Sequence, residues 1–267
     1  MYHILSGVRI FQQRNLFFNM LEIEEEINKL LNSMKDSNQI QTMFNAVAPR
    51  YDFLNRFLSI GCDKHWRKIA VNQLGKLENK VFLDMATGTA DIALEIAKRT
   101  PKSLQVTGID CSYTMLKIGR NKINKANLNR SISLIPGLAE NIPIKDHFFD
   151  GAITAFGVRN FSDFHKGLQE MHRVLKPNGV IVVLEFSFPK NKILQWIYGI
   201  YFKKILPFVG RIISGHKTAY SYLPESVINF PQGETFKNLL KDSGFKKVSL
   251  KTLSFGIVTL YAGIKDV

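Results

Sequence analysis

The sequence of 267 residues has little cysteine and no long apolar run. Its two cysteines, Cys62 and Cys111, are too few for a disulfide framework and lack the spaced partners of a zinc site. We therefore predict no metal and a reducing compartment. The longest apolar stretch, residues 193–202, is interrupted by Gln195 and is much shorter than the ~20 residues of a membrane-spanning helix. A disulfide-stapled secreted domain and a transmembrane protein are both excluded.

Acidic residues are scarce relative to basic ones. The chain has 36 lysines and arginines against 22 acids, which gives a formal net charge of +14. Such a charge attracts an anionic partner, and nucleic acid, an acidic membrane surface and an anionic substrate all fit it. Apolar residues make up 45% of the chain, enough for the core of one large domain with an extension.

The first twenty residues contain two arginines and no acid. They resemble an amphipathic transit peptide only weakly, and we favour a loose leader or an upstream start, because Met20 or Met34 could also begin the chain. We divide the sequence into a leader with an N-terminal helix, residues 1–38, and a main domain, residues 39–267.

From Val81 onward, short apolar runs alternate with amphipathic segments. The runs VFLDMA, LQVTGID, ISLIPG, FDGAITAF and VIVVLEFS predict strands, and the segments between them predict helices. This order predicts an α/β domain with a doubly wound, mostly parallel sheet of six or seven strands. We also predict one or two N-terminal helices within residues 21–61, a helical insertion over residues 188–230, and a closing hairpin divided at Gly256.

The stretch FLDMATGTAD, residues 82–91, predicts a strand that enters a glycine turn before a helix. In this fold class, ligands lie beyond the carboxyl ends of the strands, and the first such turn contacts them closely. Asp84 would repel a pyrophosphate, and no G-x-G-x-x-G can be drawn through Gly88 and Thr89. A dinucleotide is therefore disfavoured, and a ligand with a positively charged group is favoured.

S-adenosylmethionine is such a ligand, because its ammonium and sulfonium favour nearby carboxylates and its ribose needs an acceptor. Asp110 ends the second strand, at about the ~20-residue separation of the ribose-binding acid in nucleotide folds. The alternative is that Gly88 only permits a tight turn and that Asp110 caps the next helix through Ser112. Acids at two successive strand ends favour the cofactor site.

Two longer motifs, YDFLNRFLSIGCDKHWRK at 51–68 and RVLKPNGVIVVLEFS at 173–187, resemble the signatures of the ubiquinone/menaquinone biosynthesis C-methyltransferases. The runs FDGAITAFGVRNFSD and SGHKTAYSYLPESVINFPQGETFKNLLKDSGF resemble the same family, so the similarity extends from about residue 40 to the end. The resemblance implies a seven-stranded class I methyltransferase fold that uses S-adenosylmethionine. It also implies methylation of a ring carbon of a polyprenylated demethylquinol, either demethylmenaquinol or demethoxy-demethylubiquinol.

The same resemblance implies a set of cofactor contacts. Thr89 lies in the turn, Asp110 binds the ribose, and the backbone at Leu138 and Ala139 borders the adenine. The predicted site is completed by Asp84, Gly88 and Ala155. Family members usually have glycine in place of Ala90, an asparagine or aspartate in place of Leu138 and often serine in place of Ala155. An alanine at 90 is accommodated if its backbone is not in a positive-φ conformation.

The acceptor needs activation, because a quinol hydroxyl resembles a phenol of pKa ~10 and its loss of a proton enriches the ring carbon in electrons. We predict that Arg159 supplies positive charge and Asn160 a hydrogen bond, with Tyr51 or Asp52 as a polar relay. Glu185 is a candidate hydrogen-bond acceptor behind them. The plainer alternatives are a core aromatic at Tyr51, a helix cap at Asp52 and a loop ion pair with a turn at residues 159–160.

The insertion mixes aromatic and basic residues and has no acid between residues 190 and 217. This composition predicts a lid that receives the isoprenoid tail and rests against anionic headgroups, or else a core-packing helix pair with a solvated basic face. We expect a cytoplasmic location at the inner face of the membrane, in preference to the mitochondrial matrix.

Two other functions compete with quinol methylation. Nucleic-acid methylation fits the net charge, but the sequence lacks an Asn-Pro-Pro-aromatic or Asp-Pro-Pro-aromatic motif and a Pro-Cys nucleophile, so we expect no nucleic-acid partner. A non-catalytic cofactor-binding subunit fits the three departures from the family pattern. The retained acceptor-side motifs argue against it.

Overall fold

The structure is a computed structural model of the chain, and it describes residues 40–57, 59–100, 103–189, 191–192, 195–196, 199 and 226–266. The predicted leader, residues 1–38, and most of the predicted insertion at 188–230 lie outside the described residues. None of the helices in the described part of the chain has the length and apolarity needed to cross a bilayer.

Seven strands form one sheet in the order β3-β2-β1-β4-β5-β7-β6. The first five strands pair in parallel, and β7 pairs antiparallel with both β5 and β6. This arrangement confirms the predicted doubly wound, mostly parallel sheet and its closing hairpin, which turns at Ser254–Gly256. The strands are β1 Val81–Met85, β2 Gln105–Asp110, β3 Ile132–Pro136, β4 Phe149–Ala155, β5 Leu175–Phe186, β6 Phe245–Leu253 and β7 Val258–Lys265.

Helices flank the sheet, and six of them, α1 to α6, position the site or the core. A side-chain oxygen begins two of them, because Ser112 accepts from the amide of Met115 and Asp163 accepts from that of Lys166. Of the N-terminal helices we predicted, the one that falls within the described residues is α1. The helices are α1 at residues 40–57, α2 Cys62–Asn72, α3 Asp91–Ala97, α4 Tyr113–Lys125, α5 Phe164–Val174 and α6 Glu234–Asp242.

The central strands, among them β1, β4 and β5, are buried on both faces, so adjacent side chains enter different cores. Phe82 packs with residues of α2, α3 and α4, whereas Leu83 packs with residues of α5 and α6. Val182 and Val183 of β5 divide in the same way. The near-continuous apolar strands of the sequence follow from this two-sided burial.

Candidate cofactor and acceptor site

The site region follows from the strand order. β1 lies between β2 and β4, and the chain runs from β1 to β2 on one side of the sheet before it reaches β4 and β5 on the other. Such a reversal opens a crevice beyond the carboxyl ends of the strands, where ligands bind in open α/β sheets. The loops after β1, β2, β3 and β4 meet at this edge, and they contain most of the predicted site residues.

The turn after β1 has an unusual backbone. Ala86, Gly88 and Ala90 all have positive φ, at 56°, 55° and 65°. No atom lies within 4 Å of the position that a Cβ on Gly88 would occupy, so the turn is open there. We expected an alanine at position 90 to be accommodated only if its φ were negative, and this expectation is not met because the φ of Ala90 is positive. The left-handed conformation costs an alanine roughly 1–2 kcal/mol relative to a right-handed one.

Asp84 lies beneath this turn. Its Oδ2 accepts hydrogen bonds from Thr87 Oγ1 at 2.5 Å and from the amide of Ala93 at 3.1 Å, so the carboxylate ties β1 to the first turn of α3. Burial raises its pKa to about 7. The structure places Asp84 in the support of the turn, and its direct contact with a cofactor stays a prediction.

Asp110 connects the turn to the end of β2. Its Oδ2 accepts from the amide of Gly88 and its Oδ1 from the amide of Ser112, both at 2.8 Å. Burial raises its pKa, and these two amides oppose the rise. Ser112, not Asp110, caps α4, although Asp110 positions the capping residue. Two residues predicted for the cofactor, Gly88 and Asp110, are thus in direct contact.

The loop after β3 borders the same crevice. Leu138 is 43% exposed, whereas Ala139 is buried against the core that includes Ile109. Glu140 Oε1 accepts from the amides of Ser162 and Asp163, at 2.6 and 3.2 Å, and so joins this loop to the beginning of α5. Ala155, the last residue of β4, is half-buried.

Helix α1 lies against the loops that follow β1 and β2. Gln41 donates to the carbonyl of Cys111, and the Ser112 hydroxyl donates to Asn45 Oδ1 at 2.7 Å. Two turns beyond Asn45, the helix reaches the glycine turn, where Thr89 Oγ1 donates to Asp52 Oδ1 at 2.5 Å. The alternative of a helix cap at Asp52 is wrong, because Asp52 lies inside α1.

A network of ion pairs fixes Asp52, and the sequence analysis missed it. Lys122 of α4 contacts Asp52 Oδ2 at 3.0 Å, Thr89 Oγ1 at 3.1 Å and the carboxylate of Asp91. Arg67 of α2 continues the network, because its Nη1 also contacts Asp91, at 2.9 Å. These partners are tens of residues apart in the chain, so no local pattern marks them.

Tyr51 lies one residue before Asp52 on α1, and its ring packs edge-on against Phe44. Burial raises the pKa of the Tyr51 hydroxyl, and a hydrogen bond with Asn55 opposes the rise. The charges of Arg159 and Asp110 also act on this hydroxyl, in opposite directions. The electrostatics therefore link Tyr51 to both the cofactor-side acid and the acceptor-side arginine.

Arg159 forms a buried ion pair with Glu185. Its Nη1 lies 2.6 Å from Glu185 Oε1 and 2.6 Å from the carbonyl of Phe156, and the guanidinium stacks over Phe186. Burial raises the pKa of Glu185, and the Arg159 charge opposes this. Arg159 Nε is buried and has no hydrogen-bond partner among the described residues. Asn160 follows in the short 3-10 helix Val158–Asn160 and is half-buried.

Comparison with known proteins identifies the family. The sequence profile described as the ubiE/COQ5 methyltransferase family matches residues 32–265. The chain belongs to the ubiE/COQ5 methyltransferase family. A ubiquinone/menaquinone biosynthesis C-methyltransferase of Geotalea daltonii is 46% identical over 85% of this chain and 96% of its own. The demethylmenaquinone methyltransferase of Bacteroides fragilis is 40% identical over 91% and 98%, respectively.

Solved structures agree on the fold of this ubiE/COQ5 family member. An S-adenosylmethionine-dependent methyltransferase of Thermotoga maritima, described as a possible histamine N-methyltransferase, matches 85% of this chain and all of its own with a TM-score of 0.58 and 21% identity. The [4+2]-cyclase SpnF matches with a TM-score of 0.66 and 15% identity, over 86% of this chain and 96% of its own. At such identities only the fold is shared, and the predicted class I methyltransferase fold is confirmed.

Proposed function

We propose that this protein transfers a methyl group from S-adenosylmethionine to a ring carbon of a polyprenylated demethylquinol. The observation that carries the proposal is the high identity to quinone-biosynthesis C-methyltransferases over nearly the whole of their length. The buried Arg159–Glu185 pair at the acceptor side adds support, since a subunit that only bound the cofactor would have no chemical need for it.

The residues at the glycine turn fit S-adenosylmethionine, which supplies an electrophilic methyl group on a sulfonium. Gly88 leaves open space above the turn, and Asp110 fixes the amide of Gly88. We assign Asp110 to the ribose hydroxyls, because a carboxylate accepts two donors at once. Thr89, Leu138, Ala139 and Ala155 border the same crevice, and Asp84 holds the turn from below.

On the acceptor side, we assign Arg159 to the quinol oxygen. Because Glu185 neutralises the guanidinium charge, Arg159 acts mainly through N–H groups held in a fixed direction. Donors that are oriented before the reaction favour the quinolate over the quinol without further reorganisation. Asn160 and Tyr51 are assigned to the same oxygen. Asp52 is engaged by Thr89 and Lys122, so we assign it to holding α1 in place and not to proton transfer.

The excess of basic residues and a lipid-tailed acceptor together favour action at the cytoplasmic face of a membrane. We assign residues 188–230 to covering the isoprenoid tail. In the described part of this segment, Trp196 is 69% exposed, which fits contact with an apolar ligand. Nucleic acid is not assigned as an acceptor.

The test is a methyl-transfer assay with labelled S-adenosylmethionine. Reduced demethylmenaquinol, reduced demethoxy-demethylubiquinol and bulk RNA are offered in parallel to the same enzyme. We expect label on one or both quinols and none on RNA, and label on a single quinol identifies the branch. Label on RNA alone contradicts the proposed acceptor. Cofactor binding without any transfer would indicate a non-catalytic subunit.

A further inference from the structure

The outer face of α1 is apolar and exposed, although the inner face of the same helix contacts the site. Phe53 and Phe57 are 58% and 54% exposed, and their rings stack 6.0 Å apart at 16°. Ile60, just beyond the helix, is 90% exposed. Three large apolar side chains within eight residues form a patch of the kind that marks an interaction site.

The backbone at Ile60 adds a second observation. Its φ is 52°, a conformation that a β-branched residue rarely adopts, and hydrogen bonds from the amides of Ile60 and Gly61 hold the tight turn. This left-handed backbone presents an isoleucine side chain to solvent at the end of α1. Such a position fits contact with a partner outside the chain.

The charge around the patch has one sign. Arg50 on α1 and both Lys64 and Lys68 on α2 are exposed. The pair between Arg56 and Asp63 joins the end of α1 to the first turn of α2, where Lys64 follows Asp63 directly.

The acids in this part of the chain do not offset those cations. The described residues 40–57 and 59–72 contain two acids, and both are paired inside the protein. Asp52 pairs with Lys122, and Asp63 pairs with Arg56 and Arg67. The exposed charged residues of this stretch, Arg50, Lys64 and Lys68, are therefore all cationic.

We propose that this docking surface, formed by Phe53, Phe57 and Ile60 with Arg50, Lys64 and Lys68, binds an anionic lipid bilayer. Aromatic and aliphatic side chains enter the boundary between headgroups and acyl chains, and lysines at the rim attract acidic headgroups. The inference rests on the proposed function, because a polyprenylated acceptor resides in such a bilayer. Docking through α1 places the membrane next to the helix whose other face carries Tyr51 and Asp52.

Binding to vesicles tests the proposal directly with the full chain. Flotation is measured with phosphatidylcholine vesicles that contain or lack ~30% phosphatidylglycerol. Each lysine contact with an acidic headgroup should contribute ~1 kcal/mol to binding of the anionic vesicles and nothing to binding of the neutral ones. Phe53→Ser/Phe57→Ser should bind anionic vesicles at least about tenfold more weakly than the wild type. Lys64→Glu/Lys68→Glu should lose a similar factor on anionic vesicles and none on neutral ones.

Two further variants separate docking from folding. Lys246→Glu/Lys247→Glu makes the same charge change at two exposed lysines of β6, an edge strand of the sheet, and should leave vesicle binding within about twofold of the wild type. Ile60→Asn replaces the strained isoleucine by a residue that tolerates a left-handed backbone, so it should raise the melting temperature while it weakens vesicle binding. A variant that merely unfolds cannot give this pair of results.

Activity then relates docking to the acceptor. With demethylquinol embedded in anionic vesicles, Phe53→Ser/Phe57→Ser should lose methylation in proportion to binding, whereas a short-tailed quinol in solution should be methylated at the wild-type rate. If the wild type methylated neither acceptor, the proposed function would be contradicted, whereas the vesicle-binding result would still test the docking surface. Wild-type vesicle binding by the aromatic double variant and by Ile60→Asn would overturn the docking surface, and would point to a protein partner for it.

Discussion

The two edges of the sheet hold their carboxylates in opposite ways. At the edge where the parallel strands end, Asp84, Asp110 and Glu185 are buried, and burial raises the pKa of each. At the edge where β4 and β5 begin, Arg173 lowers the pKa of Asp146 and of Glu170 by hydrogen bonding. The first edge keeps acids in an environment that disfavours their charge, and the second keeps them in one that favours it.

This difference separates the acids that stabilise the fold from the acids that border the predicted site. Arg173 donates to Glu170, to Asp146 and to the carbonyls of Ile142 and Ile144, and it thereby fixes the loop before β4. These ion pairs and hydrogen bonds stabilise the loop and need no particular pKa at Asp146 or Glu170. At the ends of the parallel strands, by contrast, burial makes the ionised carboxylates destabilising. Carboxyls with raised pKa values beside a crevice are typical of a binding or catalytic site.

The largest effect is expected from Arg159→Ala. It leaves the buried Glu185 without its cationic partner, so the free energy of unfolding should fall by ~3–5 kcal/mol, and turnover should fall by at least ~100-fold. Chemical denaturation and the methyl-transfer assay measure the two effects. The double variant Arg159→Gln/Glu185→Gln removes both charges and should recover most of the stability but none of the turnover. Wild-type turnover in either variant would remove Arg159 from the reaction.

Asp110→Ala should mainly affect the cofactor. It removes the acceptor of the Gly88 and Ser112 amides as well as the assigned ribose contact, and we expect the affinity for S-adenosylhomocysteine to fall by ~10–100-fold. Titration calorimetry measures the affinity, and Asp110→Asn, which keeps one acceptor oxygen, should lie between the variant and the wild type. An unchanged affinity would refute the ribose assignment.

Asp84→Asn should reveal the raised pKa through stability. A carboxyl with a pKa of about 7 in the folded state and ~3.9 in the unfolded state stabilises the fold at low pH and loses that contribution as pH rises through 7. Relative to the wild type, Asp84→Asn should therefore be more costly at pH 5 than at pH 8, by about 2.5 kcal/mol. Urea unfolding at the two pH values gives the comparison, and an equal cost at both would mean that Asp84 titrates normally.

Glu170→Gln should give the smallest effect on stability, and its cost should fall toward low pH, whereas the cost of Asp84→Asn should rise. Because Arg173 lowers the pKa of Glu170 in the folded state, its contribution is present above the unfolded value and disappears as pH falls through the folded one. The variant should cost at most ~1 kcal/mol near neutral pH and almost nothing near pH 3. The same urea series detects this, and a cost that grew toward low pH would break the contrast between the edges.

The sequence predicted the sheet because the central strands are buried on both faces and therefore appear as continuous apolar runs. It also placed Gly88 and Asp110 at one site, because carboxyl ends of neighbouring parallel strands must meet. It named Arg159 and Glu185 as site residues but did not predict that they pair, nor the contacts of Lys122, since ion pairing between distant residues leaves no periodic signal. The backbone of Ala90 was equally out of reach, because surrounding packing imposes a conformation that alanine itself disfavours.

The polar underside of α1 has a consequence for hydrogen exchange. Its contacts with the site loops are hydrogen bonds and ion pairs at Asn45 and Asp52, together with a small apolar cluster at Val47, Ala48 and Met115. Because polar pairs supply part of these contacts, the helix should open locally more easily as salt screens its charges. The amide protons of residues 40–57 should then exchange faster than those of β1 or β4, and their rate should report whether the crevice is occupied.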